Sequence, residues 1–485
     1  MDTLSRDLRA AASESYDLLV VGGGIQGAML ALEASRRGLS TLLLERGDFG
    51  GETSWNSLRI IHGGLRYLQT MDLARYRESV AERGWLLRHF PDLIEPLPCL
   101  MPLHDPPRGG RLRRPAAFRA AFAADAVLRS DRTLPRGRLL SAGETAELFP
   151  AVDREGLRSG VLWHDAVVSE PHRLIVEILR WAVRCGARVL NYVEAAELRV
   201  EDGRVEGLRV VDRGSGRTFE VRGRAVVSCA GPWVRRVARR FDRDVPGLFQ
   251  LLIAFNLLLD REPVSAGAVA VASRETGAPT WFLLPCKGKV LAGTAYAPAG
   301  EEVPGEAHVE GFLRDLNAAL PGLDARREQV ARVLWGRLPA VAEGSTTPAT
   351  RPVIHDHGRA GGPQGLFSVS GVKLTTARAV AEKVLKALAP GLRPTEVERP
   401  AADPPLSLDE LIQLAENDWN AARIHLRGLV ERQSVVELED LLLRRTDWGF
   451  DPVRAETAVR LCESLGWRGF RPQRPQQWAA GGGAG

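Results

Sequence analysis

The chain has 485 residues, of which 45% are hydrophobic and 26% charged. That balance excludes disorder of the whole chain, which needs low hydrophobicity and high net charge. At ~150 residues per unit, the length predicts about three domain-sized units. The net charge is +5, yet only five of the 65 basic residues are Lys, at 287, 289, 373, 383 and 386. No nucleic-acid-binding module accompanies the arginines, so nucleic acid is not the expected partner. A basic surface suits small anions or anionic lipid instead.

The cysteines are Cys99, Cys185, Cys229, Cys286 and Cys462. They are odd in number, widely spaced and without a CxxC pair, which reads as reduced thiols rather than a disulfide or metal framework. No apolar run is long enough to span a membrane, and no signal segment precedes the first strand. The expectation is a cytoplasmic chain, at most peripheral on the inner face of the membrane.

In chain order, residues 1–15 read as a polar N-terminal tail. Tyr16–Val21 is a short apolar run suited to a buried parallel strand. Gly22-Gly23-Gly24-Ile25-Gln26-Gly27 follows at once, then a helix over 28–37 and a second strand over 39–44 ending at Glu45. This is a βαβ unit with G-x-G-x-x-G spacing. The first glycine permits the turn, the second admits a pyrophosphate, and the third lets helix and strand pack. Glu45 lies 21 residues after Gly24, where an acid binds ribose hydroxyls.

Residues 71–90 have helical spacing. Residues 104–138 are rich in Pro, Gly and Arg, including Arg108, Arg111, Arg113, Arg114 and Arg119. That stretch reads either as a solvated face or as one resting on anionic lipid through Phe118, Phe122 and Leu128. A helix is expected over Pro171–Gly186, short strands between 188 and 221, and a buried strand over Ala225–Cys229 closing in Ala230-Gly231-Pro232-Trp233. Residues 248–296 alternate strands and turns. Five prolines within 388–406 mark a linker. Helices are expected at Asp409–Val430, Val435–Arg444 and Val453–Leu465, with a flexible tail over 471–485. His355-Asp356-His357 reads as a turn rather than a metal cluster, and His164-Asp165 has no nucleophile nearby in sequence.

One βαβ unit, the returning strand at Trp233 and a third glycine turn at Ser370-Gly371 suit a long cofactor in one groove. FAD is the expected ligand, although spacing alone does not separate it from NAD.

Thr53-Ser54, His62-Gly63-Gly64-Leu65-Arg66-Tyr67, Ala230-Gly231-Pro232-Trp233, Lys373-Leu374-Thr375-Thr376 with Arg378, and Leu438-Glu439-Asp440-Leu441-Leu442-Leu443-Arg444-Arg445-Thr446 together resemble the FAD-dependent glycerol-3-phosphate dehydrogenases. The resemblance runs from about residue 16 to 467. It implies an α/β fold: a glutathione-reductase-type FAD-binding domain, an interleaved antiparallel-sheet substrate domain and a C-terminal all-helical domain. The oxidoreductase region would be 16–387, with the substrate domain roughly 75–150 and 245–345, then the linker and a helical domain over 407–470. The reaction implied is oxidation of sn-glycerol 3-phosphate to dihydroxyacetone phosphate, with electrons passed to quinone or oxygen. An anionic membrane surface is the expected docking partner and a homodimer the default assembly.

The same resemblance implies the site. FAD would lie along Gly22, Gly23, Gly24, Ile25, Gln26 and Gly27, Glu45 and Arg46, Thr53, Ser54, Ser57, Arg59, Ile60, Ile61, His62 and Gly63. Val193, Ala230, Gly231, Trp233, Gly371, Lys373, Leu374 and Thr375 complete that set. Substrate would meet Arg66, Tyr67, Arg351, Lys373 and Arg337, with His62, Arg66 and Lys373 as catalytic candidates. The substrate half departs from the family pattern. Gly336-Arg337-Leu338-Pro339 shifts an arginine by one place, Phe255 stands where a histidine is usual, and Ala377 replaces a tyrosine. Phe255 and Leu338 are therefore expected to line a less polar pocket. Another anionic hydroxy compound, an amine, or a catalytically silent flavin subunit remain the alternatives.

Overall fold

A computed structural model describes residues 3–105, 114–129, 131, 133–273, 275, 278–299, 304–403 and 407–466. Arg108, Arg111, Arg113 and the tail 471–485 lie outside the described residues.

A six-stranded sheet forms the nucleotide-binding layer, in the order Val353–Asp356, Leu366–Ser370, Val226–Ser228, Leu18–Val21, Thr41–Leu44, Arg188–Leu190. All neighbours are parallel except the first pair. The strands are short and apolar because both faces are covered. On one face lie the helices Ile25–Ser35, Pro171–Arg184 and Ala377–Leu388. Against the other packs a four-stranded sheet built from Ser15–Tyr16, Thr218–Gly223, Arg204–Asp212 and Val193–Glu201. Ile25–Ser35 is apolar nearly all round, as a helix enclosed by other elements must be. The N-terminal segment carries the helix Leu8–Ala12, with Leu4 and Leu8 buried.

The second large sheet has nine strands and includes Ile60–Ile61, Ile94–His104, Leu157–Val168 and Leu251–Leu259. Leu251–Leu259 lies between Val330–Pro339 and Lys289–Pro298. Alternation sends its two rows of side chains to opposite faces. Ile253, Phe255, Leu257 and Leu259 pack in the core under the helix Glu306–Ala319. Phe255 is fully buried there, edge-on to Phe312 at 5.7 Å. Asn256, on the other row, donates to the Asn56 carbonyl at 3.2 Å, toward the nucleotide layer. The expectation that Phe255 lines a substrate pocket is therefore overturned: its row faces away.

The C-terminal residues pack Leu408–Asn417, Trp419–Arg432, a wide helical turn Asp440–Arg445 and Pro452–Ser464 into one core with the nine-stranded sheet. The single helix expected over 409–430 breaks at Asp418, which accepts from the Ala421 N–H at 2.9 Å and so starts a new helix. Two of the rings expected to face lipid, Phe118 and Phe122, do not point outward. Phe118 is buried in that shared core, and Phe122 tucks over Gly137.

Candidate active site

The turn after Leu18–Val21 is shaped for a dinucleotide. Gly22 has φ +110°, and a Cβ on Gly27 would stand 1.9 Å from the Gly22 carbonyl, so neither position tolerates a side chain. The helix begins at Ile25, leaving its first N–H groups aimed at the turn. Ile25 N–H donates to Ser54 Oγ at 3.1 Å, which draws Thr53-Ser54 against the helix start.

Glu45 is held by the N–H groups of Gly23 at 2.6 Å and Gly47 at 2.8 Å. Burial pushes its carboxyl upward, against the pull of those two amides. Gly22, Gly24, Glu45, Arg46, Thr53, Ser54, Val193, Ala230, Gly231 and Trp233 all border one cleft of about 350 Å³. The Arg46 guanidinium lies over the Trp233 ring at 3.9 Å, at the side of that cleft.

The remaining cofactor candidates divide. Arg59 has φ +69°, donates to the Ser169 carbonyl at 2.7 Å and covers the Phe450 ring. Its side chain thus serves the C-terminal domain rather than the cleft. Ser57 Oγ accepts from the Arg59 N–H at 3.2 Å, fixing this turn. Ile60 and Ile61 are buried and pair with Val167 and Ala166. Their role is to deliver His62 and Gly63 from a sheet edge. Gly371 abuts Gln26, Leu374 packs against the core, and Thr375 is buried before the last helix of the layer.

His62 and Gly63 meet Asp165, which has no nucleophile near it in sequence. Asp165 is buried and accepts four hydrogen bonds: from Gly63 N–H at 2.6 Å, Arg83 Nη1 at 3.0 Å, Trp163 Nε1 at 3.0 Å and His62 Nδ1 at 3.4 Å. Burial raises its carboxyl, but the His62 contact, the Arg83 charge and the Gly63 amide outweigh that and hold it at about 2. An ionised carboxylate only accepts, so the His62 proton facing it sits on Nδ1. Nε2 is then the free lone pair. The His62 ring is half-exposed and leans on Phe282 at 5.6 Å. Nothing local in sequence marks Asp165, because it comes from a strand 103 positions away.

Lys373 and Tyr67 come together. The Lys373 Nζ donates to the Tyr67 hydroxyl and stands 4.8 Å from the ring centroid. Gln26 Nε2 donates to the Lys373 carbonyl at 3.3 Å, tying this lysine to the first turn of the dinucleotide helix. Arg75 also covers the Tyr67 ring, at 4.9 Å, and pairs with Asp72, which is within electrostatic reach of Arg351. Arg66, one residue before Tyr67, is within electrostatic reach of Tyr296, which stands opposite Ala254 on the site-facing row. Arg66, Arg351 and Lys373 have no ion-pair partner among the described residues.

Arg337 does not join them. It sits opposite Ile253 in register, on the same face as Phe255, and lies over the Trp335 ring at 5.1 Å. The one-place shift along the strand has turned it away. Its backbone exchanges hydrogen bonds with Thr53 Oγ1, and its charge lies within electrostatic reach of Glu52 on the cleft wall. Leu338 faces the site row instead, packed by Leu252 and Ala254. His357 is fully buried between Asp242 and Ser368 Oγ, both at 2.9 Å, a structural brace of the sheet. No group of three or more metal-binding side chains occurs among the described residues.

The residues fit FAD. The glycine turn, the exposed helix start, Glu45 and the long cleft match a dinucleotide. Further along, Gln26 Oε1 and Ser370 Oγ are buried polar atoms without a protein partner, beside Gly371 and Lys373. A flavoenzyme of the glutathione-reductase fold is the class these features define.

The comparisons agree. The profile of the FAD-dependent oxidoreductases matches residues 17–387. A glycerol-3-phosphate dehydrogenase of Synechocystis is 31% identical over 418 residues, covering 83% of this chain and 75% of that protein. The chain belongs to the FAD-dependent oxidoreductases and, within them, to the glycerol-3-phosphate dehydrogenase family. Among solved structures, glycerol-3-phosphate dehydrogenase of Bacillus halodurans complexed with FAD shares the fold at TM-score 0.68 and 22% identity, over 96% of this chain and 95% of that one. L-α-glycerophosphate oxidase of Mycoplasma pneumoniae with FAD bound shares it at TM-score 0.59 and 15% identity, over 80% and 98%. No helix among the described residues is long and apolar enough to cross a membrane.

Proposed function

We propose that this enzyme oxidises the secondary alcohol of sn-glycerol 3-phosphate to dihydroxyacetone phosphate. The observation that carries the reading is Lys373 bonded to Tyr67 beside the glycine turn at Gly371, with Arg66 adjacent to Tyr67 in sequence and Arg351 within electrostatic reach of Asp72, whose partner Arg75 covers the Tyr67 ring. A phosphate dianion takes charge-assisted hydrogen bonds from such groups. The name of the Synechocystis relative supplies the particular substrate.

Bound FAD supplies the two-electron acceptor for hydride from the carbinol carbon. The chain does the rest. Arg66 and Arg351 hold the phosphate. Lys373, braced by Tyr67, faces the oxygen that gains negative charge as the proton leaves. His62 Nε2 takes that proton, because Asp165 keeps the ring proton on Nδ1 and steadies the imidazolium that forms. Quinone, met at an anionic membrane surface, or oxygen would be the final electron acceptor.

A substrate panel tests the reading. Glycerol 3-phosphate is expected to turn over, while glycerol, glycine and sarcosine stay inert. Equal turnover of glycerol would remove the role of the cations, and turnover of an amine alone would replace the substrate class. Replacing dichlorophenolindophenol with a soluble quinone or with oxygen identifies the acceptor.

A further inference from the structure

The loop that follows Glu45 carries Asp48, whose side chain is fully buried. Asp48 accepts from Arg445 Nη2 at 2.7 Å, Arg445 Nη1 at 2.7 Å, Arg444 Nε at 2.8 Å and Asn191 Nδ2 at 2.9 Å. Both arginines belong to the C-terminal helical domain, almost 400 positions along the chain. Arg444 also donates to Asp440 at 2.7 Å and Glu439 at 2.9 Å. Asp440 in turn accepts from the Tyr192 hydroxyl at 2.8 Å. Two buried carboxylates thus balance two buried guanidinium groups, and each needs the others to be dry and charged. Arg444, Glu439, Asp48 and Tyr192 are also part of the wall of the FAD cleft, alongside Glu45. The Arg444 side chain lies against Gly51 of the same loop.

We propose that the C-terminal helical domain is a component of the cofactor site, with Arg444 as its positioning residue. Asp48, clasped by Arg444 and Arg445, fixes the loop Gly47–Gly51 and with it the Glu45 carboxylate held by the Gly47 amide. FAD binds the clasped loop more tightly than a free one. By linkage, bound FAD must then favour docking of residues 407–466 by the same factor. The inference rests on FAD occupying this cleft.

The test uses the full chain stripped of flavin, with FAD itself as the probe. FAD affinity is read from quenching of flavin fluorescence, and domain docking from the rate of proteolysis within 388–403. Arg444→Met is expected to weaken FAD about tenfold or more, and Arg444→Lys, which keeps the charge, to recover to within about threefold of wild type. FAD should slow linker cleavage in wild type and leave it unchanged in Arg444→Met. Wild-type FAD affinity in Arg444→Met, or linker cleavage indifferent to FAD in wild type, overturns the proposal. Should Arg444→Met fail to fold, Glu439→Gln and Tyr192→Phe decide it, since each removes one brace without stranding a buried charge. Weaker FAD binding, by about threefold, supports the clasp, and unchanged affinity in both overturns it. Wild-type apoprotein that takes up no FAD would instead overturn the cofactor assignment, and the clasp with it.

Discussion

Lys373 and Tyr67, 306 positions apart in sequence, meet with the ammonium bonded to the phenol and set 4.8 Å from its ring centroid. The contact joins a glycine turn of the nucleotide layer to the short helix Leu65–Gln69. It holds the lysine charge without neutralising it, because a phenol is a neutral partner and the ring face attracts a cation. Lys373→Met should lower kcat/KM about 100-fold, near 3 kcal/mol of transition-state stabilisation. Lys373→Arg should not rescue it, since a planar fork does not replace a compact ammonium here. Tyr67→Phe should cost about tenfold, the worth of one charged hydrogen bond. Steady-state kinetics check all three, and an unimpaired Lys373→Met would remove the lysine from the mechanism.

Asp165 gives a pH signature. Its folded-state pKa, about 2, is depressed below the ordinary value. Its contribution is therefore present above pH ~4 and lost as pH falls toward about 2. Asp165→Asn should destabilise the protein by about 3 kcal/mol at neutral pH, because Arg83 is left buried without a counter-charge. The gap between variant and wild type should close between pH ~4 and ~2. Denaturation midpoints across that range provide the check. A gap that does not change with pH would mean that the carboxylate charge is not what matters.

Gly63→Ala probes the same cluster by size alone. The new Cβ would stand 1.8 Å from Arg83 Nη1, so the guanidinium must leave Asp165. A loss of about 2–4 kcal/mol is expected, with a fall in kcat as His62 loses its anchor. Normal stability in Gly63→Ala would show that Arg83 has another place to go.

Phe255 is predicted to matter for folding and not for substrate. Phe255→Ala should cost about 3–5 kcal/mol through the cavity left beside Phe312, while KM for glycerol 3-phosphate stays near wild type. A large KM change at unchanged stability would place the ring in the substrate pocket after all.

Much of the nucleotide layer was legible in sequence because its signals are local. Strand, glycine turn, helix and Glu45 follow one another within a single βαβ unit. The substrate end was legible only in part. Arg66 and Tyr67 stand in a compact motif, yet which face Phe255 and Arg337 take depends on strand alternation and register, which one misplaced residue reverses. Asp165 and the Asp48 clasp were hidden for a different reason. Each joins groups more than 100 positions apart, and nothing in the residues around them announces the partner. The break at Asp418 was signalled locally, by an Asp at the start of a helical pattern, but is masked by helix formers on both sides.

Electrons are expected to pass from glycerol 3-phosphate to FAD in this chain. The most direct measurement is an anaerobic titration of the purified, flavin-loaded protein with that substrate, followed at the flavin absorbance band. Bleaching that saturates, and that is lost in Arg66→Ala at the same substrate concentration, is the predicted result. A protein that holds FAD, is bleached by dithionite and stays yellow with glycerol 3-phosphate would contradict it.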